Sequence, residues 1–184
     1  MTVLVAFLRA VNVGGTGIMK MADLKALCEK LGYGDVKTLL QSGNVVFTAK
    51  GKAAAIEKGL AAAIDKAHGF RPAVMVRTAA EMAAIVGANP FSNEAKADGR
   101  FVVVAFAAGA PTSGAGERIK AVKVVRERLK LIGRELFIHF PDGQGRSVVT
   151  NAALEKALGV PATARNWNTV TKLQAMAEAM EAGG

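Results

Sequence analysis

One cysteine, one tryptophan, one tyrosine and two histidines in 184 residues leave few groups for several familiar chemistries. The single Cys28 has no partner for an intramolecular disulfide, which agrees with a reducing compartment. Cys28, His68 and His139 are too scattered for a standard ligand spacing, so neither a metal nor another cofactor is expected. The chain has no nucleophile elbow and neither of the glycine fingerprints of phosphate and dinucleotide loops. Apolar runs are broken by charge or glycine far short of the ~20 residues that span a bilayer. The opening run, residues 3–8, is too short for a signal-peptide core and has no basic segment before it. A cytoplasmic protein without a membrane partner is therefore expected.

What the sequence does hold is apolar residues and positive charge. Hydrophobic residues make up 51% of the chain, and mean hydropathy is +0.26. Such a length suits one domain or two small ones, able to bury a core without metal or disulfide support. Lysine and arginine outnumber aspartate and glutamate by 24 to 15, a net charge of +9, which favours anionic partners such as nucleic acid or a phosphorylated small molecule.

Periodicity predicts strand, helix, strand, strand, helix, strand over residues 1–78. The helices lie near 21–31 and 52–67, and a hairpin turns at Gln41-Ser42-Gly43. Thr78 and Glu81 have capping-box spacing, starting a further helix over 79–86. The Asn89-Pro90-Phe91 break places a boundary between domains 1–88 and 89–184. The pattern then restarts with a strand over 100–107, a helical segment near 117–124 and a hairpin turning at Gly133-Arg134. Helices near 148–158 and 169–180 complete it. The expected class is α+β, with two ferredoxin-like halves of βαββαβ type. The second half is incomplete or irregular unless residues 162–165 supply its last strand, and a C-terminal helix follows. Strands that are apolar on both faces, such as 3–8 and 102–106, suit sheets covered on both sides.

Three groups of residues are candidates for function. Arg165, Asn166, Trp167 and Asn168, followed by Thr169, combine a fixed charge, two amides and an aromatic face ahead of a helix. They suit either an anion-binding wall or a helix cap on Asn168 or Thr169. Gly14 and Gly15, with Arg9 and Asn12 beside them, sit between a strand and a helix, where backbone amides can hold phosphate or simply make a tight connection. Gln41, Ser42 and Asn44 lie at the first hairpin. Arg126, Arg128, Lys130 and Arg134 form the densest basic stretch. If 127–132 is a strand, Arg128 and Lys130 share a face with Phe137 and His139 of the partner strand. That face is either a platform for phosphates and stacked bases or a charged edge that resists aggregation.

The runs Leu8-Arg9-Ala10-Val11-Asn12-Val13-Gly14-Gly15, Gln41-Ser42-Gly43-Asn44-Val45-Val46-Phe47 and Asn89-Pro90-Phe91, with residues 163–169, resemble a bacterial family called domain of unknown function sixteen ninety-seven. The resemblance spans nearly the whole chain. It implies an α+β protein with ferredoxin-like halves and no established activity, and it carries over no catalytic residue. The family's opening usually has glycine where this chain has Ala10. Three functional readings follow. One is an anion-binding module for nucleic acid or a nucleotide-like ligand. Another is a small-molecule enzyme or sensor with a site between the halves, using Arg9, Asn12, Gln41, Ser42, Asn44, Arg165, Asn166 and Asn168. The last is a structural or partner-binding protein.

Overall fold

The computed structural model describes residues 1–183, and the chain divides into two compact units. The first comprises Met1–Ala84 and the chain from Leu173 onward, and the second Ile85–Lys172. Sequence reading placed the boundary at 88/89 and kept the whole final helix with the second half.

The first unit runs β1 (Thr2–Leu8), α1 (Met21–Lys30), β2 (Gly34–Leu39), β3 (Asn44–Ala49), α2 (Ala53–His68) and β4 (Val74–Thr78). Its antiparallel sheet has the order β2-β3-β1-β4. Alternation along β1 sends Leu4, Ala6 and Leu8 to one face, where they meet Leu24 and Cys28 of α1 and Ile56, Leu60 and Ile64 of α2. Burying each such aliphatic side chain contributes roughly 1.5–3 kcal/mol. Val3, Val5 and Phe7 point the other way and are buried too.

α3 (Ala79–Gly87) and α4 (Ser92–Ala97) come next. α4 is a short helix that follows directly on the Asn89-Pro90-Phe91 break. The second unit repeats the order with β5 (Val102–Ala107), α5 (Ala115–Lys120), β6 (Arg128–Ile132), β7 (Glu135–His139), α6 (Asn151–Leu158) and β8 (Ala162–Asn166). Its antiparallel sheet, β6-β7-β5-β8, has the same topology. β8 supplies the last strand, so the second ferredoxin-like half is complete. Its irregularity is confined to a six-residue α5 and a 3-10 turn at Gln144–Arg146. Val103, Ala105, Leu136 and Ile138 pack with Ile119, Leu154 and Leu158, and the opposite face, with Val102, Val104, Phe106 and Phe137, is buried as well. α7 (Trp167–Ala182) ends the fold. Among the described residues, no helix is long and apolar enough to cross a membrane.

Both outer strands of the hairpin side, β2 and β6, are sheet edges. β2 carries Lys37 and a register shift between Gly34 and Lys37, and β6 carries Arg128 and Lys130. Charges and bulges of this kind blunt an edge against pairing with another chain.

The connection from β1 to α1 is held in left-handed backbone at Ala10, Asn12, Gly14, Gly15 and Gly17. At Gly17, a Cβ would collide with the Ala10 carbonyl oxygen. Gly14 and Gly15 have open space around the corresponding position. Ala10, at φ 58°, occupies a conformation that glycine adopts without the Cβ clash, which accounts for the glycine usual there in the similar family. Ala10→Gly is expected to raise stability by up to about 1 kcal/mol, because relief of the clash slightly exceeds the added chain entropy. Gly17→Ala is expected to cost about 2–4 kcal/mol. Urea unfolding of the two variants checks both signs, and a destabilised Ala10→Gly would remove the strain argument.

Candidate functional site

The amide of Asn12 is fully occupied. Its Nδ2 donates to the carbonyls of Met19 (2.8 Å) and Gln41 (2.7 Å), and its Oδ1 accepts from the Met19 N–H (2.9 Å). Asparagine suits the place because it tolerates φ 54° and its short side chain reaches three backbone groups. Asn44 acts in the same way at the hairpin. It is buried and donates from Nδ2 to the Leu39 carbonyl and to the Ser42 hydroxyl. Gln41 is exposed and contributes its carbonyl to Asn12, while the Arg9 N–H donates to Ala73. The first-unit candidates therefore meet around one loop and one turn, and the Asn12 and Asn44 amides are engaged in shaping them.

The Arg165 to Thr169 segment has a counterpart in the first unit. Arg77 sits opposite Val5 and Arg165 opposite Val104, each one residue before the end of its edge strand. Each is buried and donates from Nη1 to the carbonyl of the residue before it, Val76 (2.9 Å) or Ala164 (2.8 Å). Thr78 and Glu81 form the expected capping box, with mutual bonds of 2.8 and 3.1 Å. The equivalent cap at the second position is Asn166, whose Oδ1 accepts from the N–H and hydroxyl of Thr169. The cap read for Asn168 or Thr169 thus belongs to Asn166, and the helix starts at Trp167. Burial lowers the Arg165 pKa to about 10, so it stays protonated at neutral pH. The Trp167 N–H donates to the Gly99 carbonyl, and the Asn168 carboxamide occupies the place a side chain on Gly99 would take. This is a strand end and helix start, with its arginine inside the protein.

Basic side chains divide sharply by partner. Arg126 pairs with Asp142 at 2.8 Å. Arg128 pairs with Glu94, lies 5.0 Å over the Phe91 ring and contacts His139 Nδ1 at 3.2 Å. Its guanidinium holds the Glu94 carboxyl below its ordinary value, and burial followed by the Arg128 charge lowers that of His139. Arg134 lies 3.9 Å from Glu135. Phe137, only 1% exposed, offers no surface for a stacked base, which favours the charged-edge reading of this hairpin over the stacking platform.

Arg118 behaves differently. Its guanidinium donates to the carbonyls of Ala157 (2.9 Å) and Ser113 (2.8 Å) and to the Thr112 hydroxyl (2.6 Å). Three neutral oxygens fix its position and leave its charge uncompensated. Lys123, Lys130, Arg146 and Lys156 are exposed and pair with no carboxylate among the described residues. The second unit carries thirteen basic and seven acidic residues, against eleven and eight in the first. The sequence places Arg118, Lys123 and Lys130 in one basic stretch, but proximity in sequence does not reveal which cations have carboxylate partners, and Arg146 and Lys156 lie outside it. The Glu57 and Glu155 carboxylates accept from edge-strand amides, Val76 N and Ala162 N, at 2.8 Å each.

Glu127 closes this region. Its carboxylate accepts from the Ser147 hydroxyl and from the N–H groups of Val125 (2.7 Å) and Arg126 (3.1 Å). Ser147 therefore ties two loops together, and Thr150 caps α6. Led by the Ser147 hydrogen bond, these contacts hold the Glu127 pKa at about 2, and Arg100 does the same for Asp98. Folded-state values below the unfolded ones give stability that is complete above about pH 4.5 and is lost as pH falls towards 2. Urea midpoints are expected to decline across that window, less steeply in Glu127→Gln; identical slopes would exclude Glu127 as a contributor. Asn12→Ala is expected to cost about 2–3 kcal/mol through three lost hydrogen bonds, checked by thermal unfolding and amide exchange at Met19.

Comparison with known proteins agrees with this architecture. No curated protein matches the chain. A solved structure, the conserved bacterial protein SP0830 from Streptococcus pneumoniae, has a similar fold, with 21% identity and a TM-score of 0.72 over 96% of this chain and 98% of that one. The family described as protein of unknown function (DUF1697) matches residues 1–137. With three quarters of its length inside that match and the expected ferredoxin-like halves in place, the chain belongs to the DUF1697 family.

Proposed function

We propose that the protein is an anion-binding module, with nucleic acid or a nucleotide-like molecule as the ligand class, and that its second unit carries the binding surface. The observation behind this reading is the second unit's excess of thirteen basic over seven acidic residues, with Arg118, Lys123, Lys130, Arg146 and Lys156 among its cations that have no carboxylate partner among the described residues. A cation already neutralised by a fixed carboxylate must break that pair to bind phosphate, whereas these five need not. Binding by lysine-rich surface contact releases counterions and needs no base-specific pocket. The alternative through Asn12 and Asn44 has less support, since those amides are committed to backbone groups.

Fluorescence anisotropy with a labelled oligothymidylate tests the proposal. Affinity is expected to fall with salt at a log–log slope of about −2 to −3, corresponding to roughly three or four single-strand phosphate contacts. The double variant Lys123→Glu, Lys130→Glu is expected to weaken binding at least about tenfold and flatten the slope. Binding that is undetectable at low salt, or unaffected by the double variant, would refute the proposal.

A further inference from the structure

A hollow of about 350 Å³ lies between α5 and α6, lined by Arg118, Ala121, Val122, Ala153, Lys156 and Ala157. Its only charged lining residues are cations, and its remaining walls are alanine and valine. Arg118 is positioned before any ligand arrives, because the Ala157, Ser113 and Thr112 oxygens take three of its five N–H groups. The bond to Ala157 also satisfies a carbonyl in the last turn of α6, offsetting the negative end of that helix next to the hollow. Two guanidinium N–H groups remain, and the Lys156 ammonium lacks a carboxylate among the described residues. The volume is at the low end for small-molecule sites, where apolar walls and a few placed polar groups set orientation.

We infer that this hollow binds a small organic anion, one carboxylate or phosphate head held by Arg118 and Lys156 and a compact apolar body seated on Ala121, Val122, Ala153 and Ala157. The inference deepens the anion-binding reading and rests on it, adding a defined ligand class to a diffuse charged surface. Head and body are both required. A bare inorganic anion leaves the apolar walls wet, and a neutral aromatic leaves the two cations without a partner.

Benzoate, phenyl phosphate and benzyl alcohol, titrated separately and followed by amide chemical shifts, separate these contributions. At least one of the two anions is expected to shift the Ala121, Val122, Ala153 and Ala157 signals saturably, and the stronger of them identifies the preferred head. Benzyl alcohol is expected to bind at least about tenfold more weakly. Lys156→Gln is expected to weaken the anion about fivefold. Ala153→Phe, which fills the hollow and spares the Arg118 contacts, is expected to abolish binding while the remaining spectrum stays folded. Equal binding of the alcohol, or unchanged binding in Ala153→Phe, overturns the inference. If neither anion binds while oligothymidylate still does, the hollow fails and the surface reading stands; loss of all three ends both.

Discussion

A strand that is apolar at every position must be covered on both faces, and the two central strands of this protein impose that condition on everything else. Every residue of β5, and every residue of β1 after Thr2, is buried. A ferredoxin-like sheet can keep one face open for stacking bases, as RNA-binding versions of the architecture do. Here neither sheet has such a face, and the one aromatic beside the basic hairpin strand, Phe137, lies inside. Any binding chemistry is thereby displaced to helix exteriors, sheet edges and loops.

Charge is distributed in keeping with that displacement. Where arginine meets structural aspartate or glutamate, as in Arg100 with Asp98, Arg126 with Asp142 and Arg128 with Glu94, it fastens loops and the short α4. Exposed pairs of this type add little stability individually, but they remove cations from the pool able to meet a ligand. Arg118 is fastened just as firmly by neutral oxygens and keeps its charge. On the proposed reading, what distinguishes a structural arginine from a binding one is the formal charge of its partner.

Much of the fold is written locally. Hairpin turns at Ser42-Gly43 and Gly133-Arg134, the Thr78–Glu81 capping box and the apolar stripes of α1 and α2 follow from neighbours a few residues apart. The candidate sites were harder to read because their partners are distant in sequence. Arg128 meets Glu94 across 34 positions, and Asn12 reaches Gln41 across 29. Taken alone, Arg165 to Thr169 suits an anion-binding wall as well as a helix cap. Set beside Arg77 to Glu81, it shows a repeated arrangement, a buried edge-strand arginine followed at once by a capping residue. That spacing was legible and would have marked the segment as architectural. No local signal distinguishes Arg118 from its basic neighbours, because the Ala157 carbonyl that fixes it lies 39 positions away.

We propose that anions meet this protein on the helical and edge surface of its second unit, away from either sheet face. Mapping amide chemical shifts during titration with unlabelled oligothymidylate at low salt tests it residue by residue. Perturbations are expected to concentrate at Arg118 to Lys123, Lys130, Arg146 and Lys156. A pattern centred on β5 and β7, or on the first unit, would contradict the claim.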